Sequence, residues 1–253
     1  MAELSRDVVL VDRPSPGVVQ ITMRDTEHRN TFSPALIEGL DRSFAAIEED
    51  ESCRAVVITG YDTYFASGGT QEMLVKMARG EVRFNQVDFF RLALDCSVPV
   101  VAAMQGHGLG GGFVFGLYAD FTVFARESIY TANFMKYGFT PGMGATVMTP
   151  ARLGPVLAQE MMFTARNYRG DELAQRGCAQ PVVPRREVLP YALRLASNLA
   201  EKPRHSLQLL KRHLTSTLRE DLDAAIRAEV DMHDQTFGRP EVMANIESRF
   251  GGR

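Results

Sequence analysis

The chain has 253 residues, of which 45% are hydrophobic and 23% are charged, as in ordinary globular proteins. Its net charge of −3 argues against a nucleic-acid partner, and no apolar run reaches the roughly 20 residues of a membrane-spanning helix. Three scattered cysteines lack the spacing of metal ligands, so we expect no metal site. The cysteine pattern and a first segment without a signal-type apolar core predict a reducing, cytoplasmic setting.

The first part of the chain predicts strands alternating with helices. Two strand segments joined by PSPG come first, VVLVDR and GVVQITM. A helix is then predicted to begin at Pro34, with Ser33 as its N-cap and apolar residues at helical spacing. Three further segments predict strands: RAVVITG, VPVVAAMQG and DFTVFAR. Three segments between or after them predict helices: TQEMLVKMARG, FNQVDFFRLALDC and GGGFVFGLYA.

From Gly142 onward the pattern is almost wholly helical. Three short segments come first, ATVMTPARLG, PVLAQEMMFTA and GDELAQRG, and three or four longer helices follow between Glu187 and Arg249. Strands alternating with helices and followed by a helical tail predict an α/β fold of repeated ββα-like units with a helical extension. We place the core at residues 1–190 and a C-terminal helical subdomain at residues 191–253.

Two of the predicted strands lead into glycines, in YFASGGTQ and GHGLGGGF. Tight turns are the simplest explanation of such glycines. A dinucleotide or phosphate loop is a second explanation, but no acidic residue is well placed for a ribose and no Gly-Lys-Ser/Thr follows. An oxyanion hole is a third. Backbone N–H groups from two loops, aided by the positive end of a helix, would then meet at a thioester carbonyl oxygen.

The order of five segments decides between these explanations. HRNTFS, YFASGGT, VPVVAAMQGHGLGGGF, YADFTVFA and FTPGMGAT follow one another as in the crotonase (enoyl-CoA hydratase/isomerase) superfamily, and the likeness covers roughly residues 5–250. The resemblance implies a spiral of ββα units with C-terminal helices, assembled as a homotrimer. It also implies that Gly69 and Gly111 supply the two oxyanion N–H groups, with Ala66 and Gly68 in the substrate-binding loop.

The chain departs from the hydratases of this superfamily at two positions. By the resemblance, their two water-activating glutamates fall on Val114 and Phe134, which cannot act as acid or base. The predicted pocket is instead apolar, and we place Val114, Phe134 and Tyr137 in its lining. Such a pocket disfavours a carboxylate relative to a charge-dispersed transition state, and an oxyanion hole stabilises the dienolate that remains when carbon dioxide leaves. This combination favours decarboxylation, which requires a cation and a proton donor but no cofactor.

More narrowly, the chain resembles the crotonase-like decarboxylases of polyketide β-branching cassettes. The resemblance lies in FASGGTQE, a lysine shortly after it, and the segment MHDQTF in the C-terminal helices. It implies a 3-methylglutaconyl substrate on an acyl carrier protein, a 3-methylcrotonyl-type product, and catalytic roles for Lys76 and His233. Arg79 is the alternative to Lys76 for holding the carboxylate. His233 would donate a proton or hold the carboxylate, oriented by Asp234 or Glu229.

Two other histidines, His107 and His28, are assigned no part in the chemistry. His107 is interpreted as a turn residue, and His28 as part of a binding loop.

Two other functions stay open. One alternative function is an isomerase or hydratase of fatty acyl-CoA that uses a different acid and base. The other is a non-catalytic crotonase-fold protein that binds acyl groups, although such a protein would not need both glycine segments.

Overall fold

The computed structural model describes residues 7–82 and 88–250. The strands within this part are β1 Val9–Ser15, β2 Val18–Met23, β3 Ala55–Thr59, β4 Tyr64–Ala66, β5 Val100–Met104, β6 His107–Leu109, β7 Phe121–Ala125, β8 Ile129–Thr131, β9 Tyr168–Arg169 and β10 Val182–Val183. The helices are α1 Pro34–Glu49, α2 Gln71–Ala78, α3 Leu92–Asp95, α4 Gly111–Leu117, α5 Ala145–Leu153, α6 Pro155–Thr164, α7 Gly170–Gln175, α8 Arg185–Ala200, α9 Arg204–Thr236 and α10 Pro240–Phe250. None of these helices combines the length and the apolar character that crossing a membrane requires.

The predicted start of α1 is confirmed. Its first residue is Pro34, and the Ser33 side chain accepts a hydrogen bond from the Leu36 N–H. The helix predicted over FNQVDFFRLALDC lies partly outside the described residues. Its described part forms a 3₁₀ turn at Phe89–Arg91 followed by the single-turn helix α3.

Two sheets carry the repeated ββα unit. The larger sheet has the order β1-β2-β3-β5-β7-β10, antiparallel between β1 and β2 and parallel elsewhere. The smaller sheet has the order β4-β6-β8-β9. The strands β3, β5 and β7 of the larger sheet are each followed by a short strand of the smaller one, and the first two of these pairs lead into the helices α2 and α4. The α/β spiral that the sequence predicts is therefore confirmed.

The inner strands β3 and β5 of the larger sheet are buried on both faces, as parallel strands usually are, whereas the edge strand β1 is mostly exposed. In β3, Val56 and Ile58 face the main core, whereas Ala55 and Val57 face the helix α8. The side of α8 that meets the sheet carries alanines at positions 192, 196 and 200, whose small side chains allow close packing. The predicted division between residues 190 and 191 falls within α8, and it stays a prediction.

The C-terminal helices α9 and α10 pack on helices of the core. The helix α9 is joined to the core by Lys211, which is buried, donates to the backbone oxygens of Ala93 and Val98, and pairs with Asp120 at 2.8 Å. A buried lysine with three partners has a structural role here. Farther along, α9 packs on α5, and α10 packs on α2. The end of α9 lies beside α2, which follows the first glycine segment, since residues of both helices line one cavity.

Candidate active site

The first glycine segment connects β4 to α2. Gly68 has a φ of +81°, and a Cβ atom at this position would lie 2.9 Å from the backbone oxygen of Leu109. Glycine meets both demands because it has no Cβ. The backbone oxygen of Gly68 accepts a hydrogen bond of 2.8 Å from the Phe32 N–H, and the Thr70 side chain caps α2. The segment is thereby fixed at both ends.

The second glycine segment connects β6 to α4 and touches the first. Gly110 has a φ of +54°, and its N–H donates to the backbone oxygen of Thr131 at 2.8 Å. A Cβ atom on Gly68 would lie 3.3 Å from the nitrogen of Gly111, and a Cβ atom on Gly112 would collide with the Ala66 oxygen. The two segments are therefore in van der Waals contact, as an oxyanion hole built from both would require.

The N–H groups of Gly69 and Gly111 have the properties of oxyanion donors. Gly111 is the first residue of α4, where helix geometry leaves the N–H without an intrahelical acceptor. Within residues 7–82 and 88–250, neither of these N–H groups donates a hydrogen bond. Both residues line the same cavity. Two preorganised donors beside an apolar cavity can stabilise negative charge on a bound carbonyl oxygen.

This cavity is mostly apolar. Its apolar lining consists of Phe32, Ile37, Met73, Leu74, Met77, Phe89, Phe90, Leu109, Phe134, Phe139 and Met143. The polar side chains that line it are those of Ser67, Asn133 and Tyr137, and burial raises the pKa of Tyr137. No Asp, Glu, His, Lys or Arg of the described residues lines it. Charge that develops on a substrate here is met by backbone N–H groups rather than by ionised side chains.

The five predicted substrate-binding residues have different positions. Gly68, Phe134 and Tyr137 line the cavity. Ala66 and Val114 are fully buried and do not line it, since Ala66 lies in β4 against Gly112 and Val114 belongs to the main core. Both support the glycine segments from behind.

The two candidate cations on and after α2 also differ in position. Lys76 has a side chain that is 45% exposed and pairs with Glu72 at 2.7 Å, and this hydrogen bond raises the pKa of Lys76. It does not line the cavity, whereas Met73 and Met77 of the same helix do. Arg79 lines a second cavity, which adjoins the first at Met77. The Arg79 side chain is itself 63% exposed and lies 4.0 Å from Glu81, so its place in the cavity lining, and not burial, distinguishes it from Lys76.

His233 lines the same second cavity as Arg79. It is 6% exposed, and its Nε2 lies 2.8 Å from the backbone oxygen of Thr140. Because a carbonyl oxygen only accepts, Nε2 carries a proton. Burial lowers the pKa of His233, so the neutral imidazole is the main form at neutral pH. The structure thus brings His233 and Arg79 together at a cavity that adjoins the one lined by Gly69 and Gly111.

Of the two carboxylates expected near His233, Glu229 has other partners. It is 2% exposed and accepts hydrogen bonds from the N–H groups of Gly144 and Thr146 and from the Thr146 hydroxyl. Asp234 instead lines the second cavity with His233, and its charge favours the imidazolium.

Comparisons with known proteins agree with this geometry. The family model for enoyl-CoA hydratase/isomerase matches residues 13–249. The chain belongs to the enoyl-CoA hydratase/isomerase family. It is 50% identical to the bacillaene synthase decarboxylase PksI of Bacillus subtilis, over 98% of this chain and 100% of the relative. The family resemblance predicted from the sequence is thus confirmed.

Two solved structures are also similar to this chain. One belongs to a dehydratase/decarboxylase enzyme couple involved in polyketide β-branching, with 51% identity, a TM-score of 0.93 and 95% of each chain covered. The other is the ECH2 decarboxylase domain of CurF from Lyngbya majuscula, with 46% identity and a TM-score of 0.93, covering 96% of this chain and all of that one. A probable enoyl-CoA hydratase of Mycobacterium bovis is 28% identical, over 94% of this chain and 85% of the relative.

No Asp or Glu of residues 7–82 and 88–250 lines the cavity. Phe134 lines the cavity at a position where a hydratase glutamate was expected by resemblance. His107 begins β6 and does not lie in a turn, so its interpretation as a turn residue is corrected, and its Nδ1 accepts a hydrogen bond from the Ile129 N–H of β8. His28 pairs with Asp25 at 3.0 Å and does not line the cavity.

Sequence reasoning assigned no role to Met143 or Asn133, which both line the cavity. Met143 lies in the quoted segment FTPGMGAT, and its position between two glycines was the available signal. Asn133 directly precedes Phe134, and nothing in the pattern separates it from a surface asparagine.

Proposed function

We propose that this protein decarboxylates a 3-methylglutaconyl group, held as a thioester on an acyl carrier protein, to a 3-methylcrotonyl-type thioester. The observation that carries the proposal is the cavity itself. Gly69 and Gly111, whose N–H groups have no acceptor among the described residues, line a space that no described charged side chain lines. The relatives at 50% and 46% identity, which are decarboxylases, support the same reaction.

The chemistry follows from the lining. The bond between the carboxylate carbon and its neighbour breaks, carbon dioxide leaves, and the electron pair moves into the conjugated thioester. The resulting negative charge on the thioester oxygen is stabilised by the N–H groups of Gly69 and Gly111, which are poised before the charge develops. A proton delivered to carbon then completes the product, and we assign that step to His233. Hydration has no support from this cavity, because no described carboxylate lines it to activate water.

The cation that holds the substrate carboxylate is tested by a pair of variants. Lys76 stays a prediction for this role, and the shared cavity with His233 favours Arg79. We expect Arg79→Met to lower kcat/KM by about tenfold or more, because a hydrogen bond to a charged group contributes about 1.5–3 kcal/mol. Lys76→Met is the matched variant, and we expect a smaller effect since Lys76 lines neither of the two cavities. The reverse order of the two losses would assign the role to Lys76.

The reaction and the carrier are tested together by mass spectrometry of a carrier-bound 3-methylglutaconyl substrate before and after incubation. We expect a mass loss of one carbon dioxide, and a lower rate with the same acyl group on coenzyme A. No mass loss with purified protein would contradict the proposed reaction and favour a binding protein without catalysis. Equal rates on both thioesters would contradict the carrier requirement. Hydration of crotonyl-CoA would contradict the roles given to Val114 and Phe134.

We further propose that the protein acts in the cytoplasm as a homotrimer. Its family resemblance supports this assembly, as do large apolar side chains that are strongly exposed in the single chain, such as Val156, Phe163 and Leu214. Sedimentation equilibrium should give three times the mass of one chain.

A further inference from the structure

Met143 has an unusual backbone conformation at the edge of the cavity. Its φ is +61°, in the left-handed region that residues other than glycine rarely adopt. Its own side chain lines the cavity, and a Cβ atom on Gly111 would lie 2.6 Å from the Met143 sulfur. The Met143 side chain therefore packs directly against the residue that supplies the second oxyanion donor.

Glu229 fixes the backbone on the C-terminal side of Met143. Its carboxylate accepts from the Gly144 N–H at 2.6 Å, the Thr146 N–H at 2.9 Å and the Thr146 hydroxyl at 2.6 Å. Tyr118 fixes the same segment by donating to the Met143 oxygen at 2.6 Å. His233, one helical turn after Glu229 on α9, bonds to the Thr140 oxygen on the N-terminal side. The segment of residues 140–146, named here the Met143 loop, is thus held on both sides of Met143.

The chemistry of these contacts calls for a carboxylate. Three donors converge on Glu229, and an ionised carboxylate provides two oxygens that only accept. A glutamine would place an NH₂ group against at least one of these donors. Burying an ionised group is unfavourable unless its hydrogen bonds are satisfied, and no Lys or Arg of the described residues pairs with Glu229. Burial raises the pKa of Glu229, and the hydrogen bonds from Thr146 and Gly144 oppose this rise because they stabilise the ionised form.

We propose that Glu229 is a positioning residue that holds Met143 against Gly111 and so shapes the oxyanion hole from the C-terminal helices. Its effect on turnover rests on the proposed function, whereas its effect on the Met143 loop does not. The carboxylate touches no reacting atom, and it acts through the backbone of Gly144 and Thr146.

Hydrogen–deuterium exchange of the full chain tests the structural half without any substrate. We expect Glu229→Gln to speed amide exchange in the peptide that covers residues 140–148. The N–H groups of Gly144 and Thr146 donate to the Glu229 carboxylate, and at least one of them would lose its acceptor oxygen. Glu220→Gln makes the same chemical change at an exposed position of α9 and should leave this exchange unchanged. Thr146→Val removes one of the three hydrogen bonds and should act in the same direction, which covers the case of an unstable Glu229 variant. Unchanged exchange in both Glu229→Gln and Thr146→Val would overturn the proposal.

A double-mutant cycle with Met143→Ala tests the functional half. We expect Glu229→Gln to lower kcat by about tenfold with little change in KM, since small misplacements of catalytic groups have effects of this size or larger. In the Met143→Ala background the same change should have a much smaller effect, because the side chain through which it acts is absent. An equal loss in both backgrounds would overturn the role of Met143. A wild-type protein without turnover would overturn the proposed function alone, and the exchange result would still decide the proposal for the Met143 loop.

Discussion

Replacing Gly69 by proline is expected to lower kcat for decarboxylation by about 10²- to 10³-fold, the loss found when one oxyanion donor is removed. Proline has no N–H, so the enolate oxygen would keep only the donor from Gly111. Because the N–H interacts most strongly with charge that develops in the transition state, KM should change much less than kcat. The measurement is steady-state release of carbon dioxide from a 3-methylglutaconyl thioester.

Gly69→Ala is the matched control for this prediction. Alanine keeps the N–H, and its Cβ would lie 3.6 Å from the nearest atom, the Cδ2 of Leu74. The φ of Gly69 is outside the left-handed region, so alanine fits the backbone as well. We expect it to change kcat by no more than about threefold, as for a substitution without a steric conflict. Equal losses in the two variants, or a proline variant that retains its activity, would show that this N–H is not an oxyanion donor.

His233→Gln is expected to lower kcat by about 10²- to 10⁴-fold if His233 delivers the proton, which is the usual range for general acid–base catalysis. Glutamine can still donate a hydrogen bond to the Thr140 oxygen, so the Met143 loop keeps that contact. His213→Gln makes the same change at an exposed position of α9 and should leave kcat unaltered. Retained activity in His233→Gln would exclude the proton-donor role.

The pH dependence tests whether His233 acts in its protonated form. Burial lowers the pKa of His233 below its ordinary value of 6.5. A donor must be protonated, so kcat/KM should fall as the pH rises through that lowered pKa. The profile of kcat/KM reports groups of the free enzyme, and His233→Gln should remove this limb. A limb that persists in the variant would belong to another group.

Much of the fold was predictable because its signals are local. Ser33 and Pro34 mark the start of α1 through capping geometry alone, and the apolar runs of β3 and β5 are typical of strands buried on both faces. The short strands of the smaller sheet were not predicted, since runs of two or three residues carry no measurable period. Their pairing depends on neighbours distant in the chain.

The sequence by itself determined the family and the α/β spiral, because the order of strand and helix signals is local. It also determined the two glycine segments, because close backbone approach and positive φ angles favour glycine there. The tertiary structure decided the surroundings of those glycines. Lys76 is adjacent in sequence to Met77 but lies about 100° around α2 from it, so one side chain is exposed and the other lines the cavity. Glu229 reaches Gly144 across 85 residues of sequence. Hydrogen bonds and packing between such distant segments depend on how whole elements are arranged in space, which no local pattern encodes.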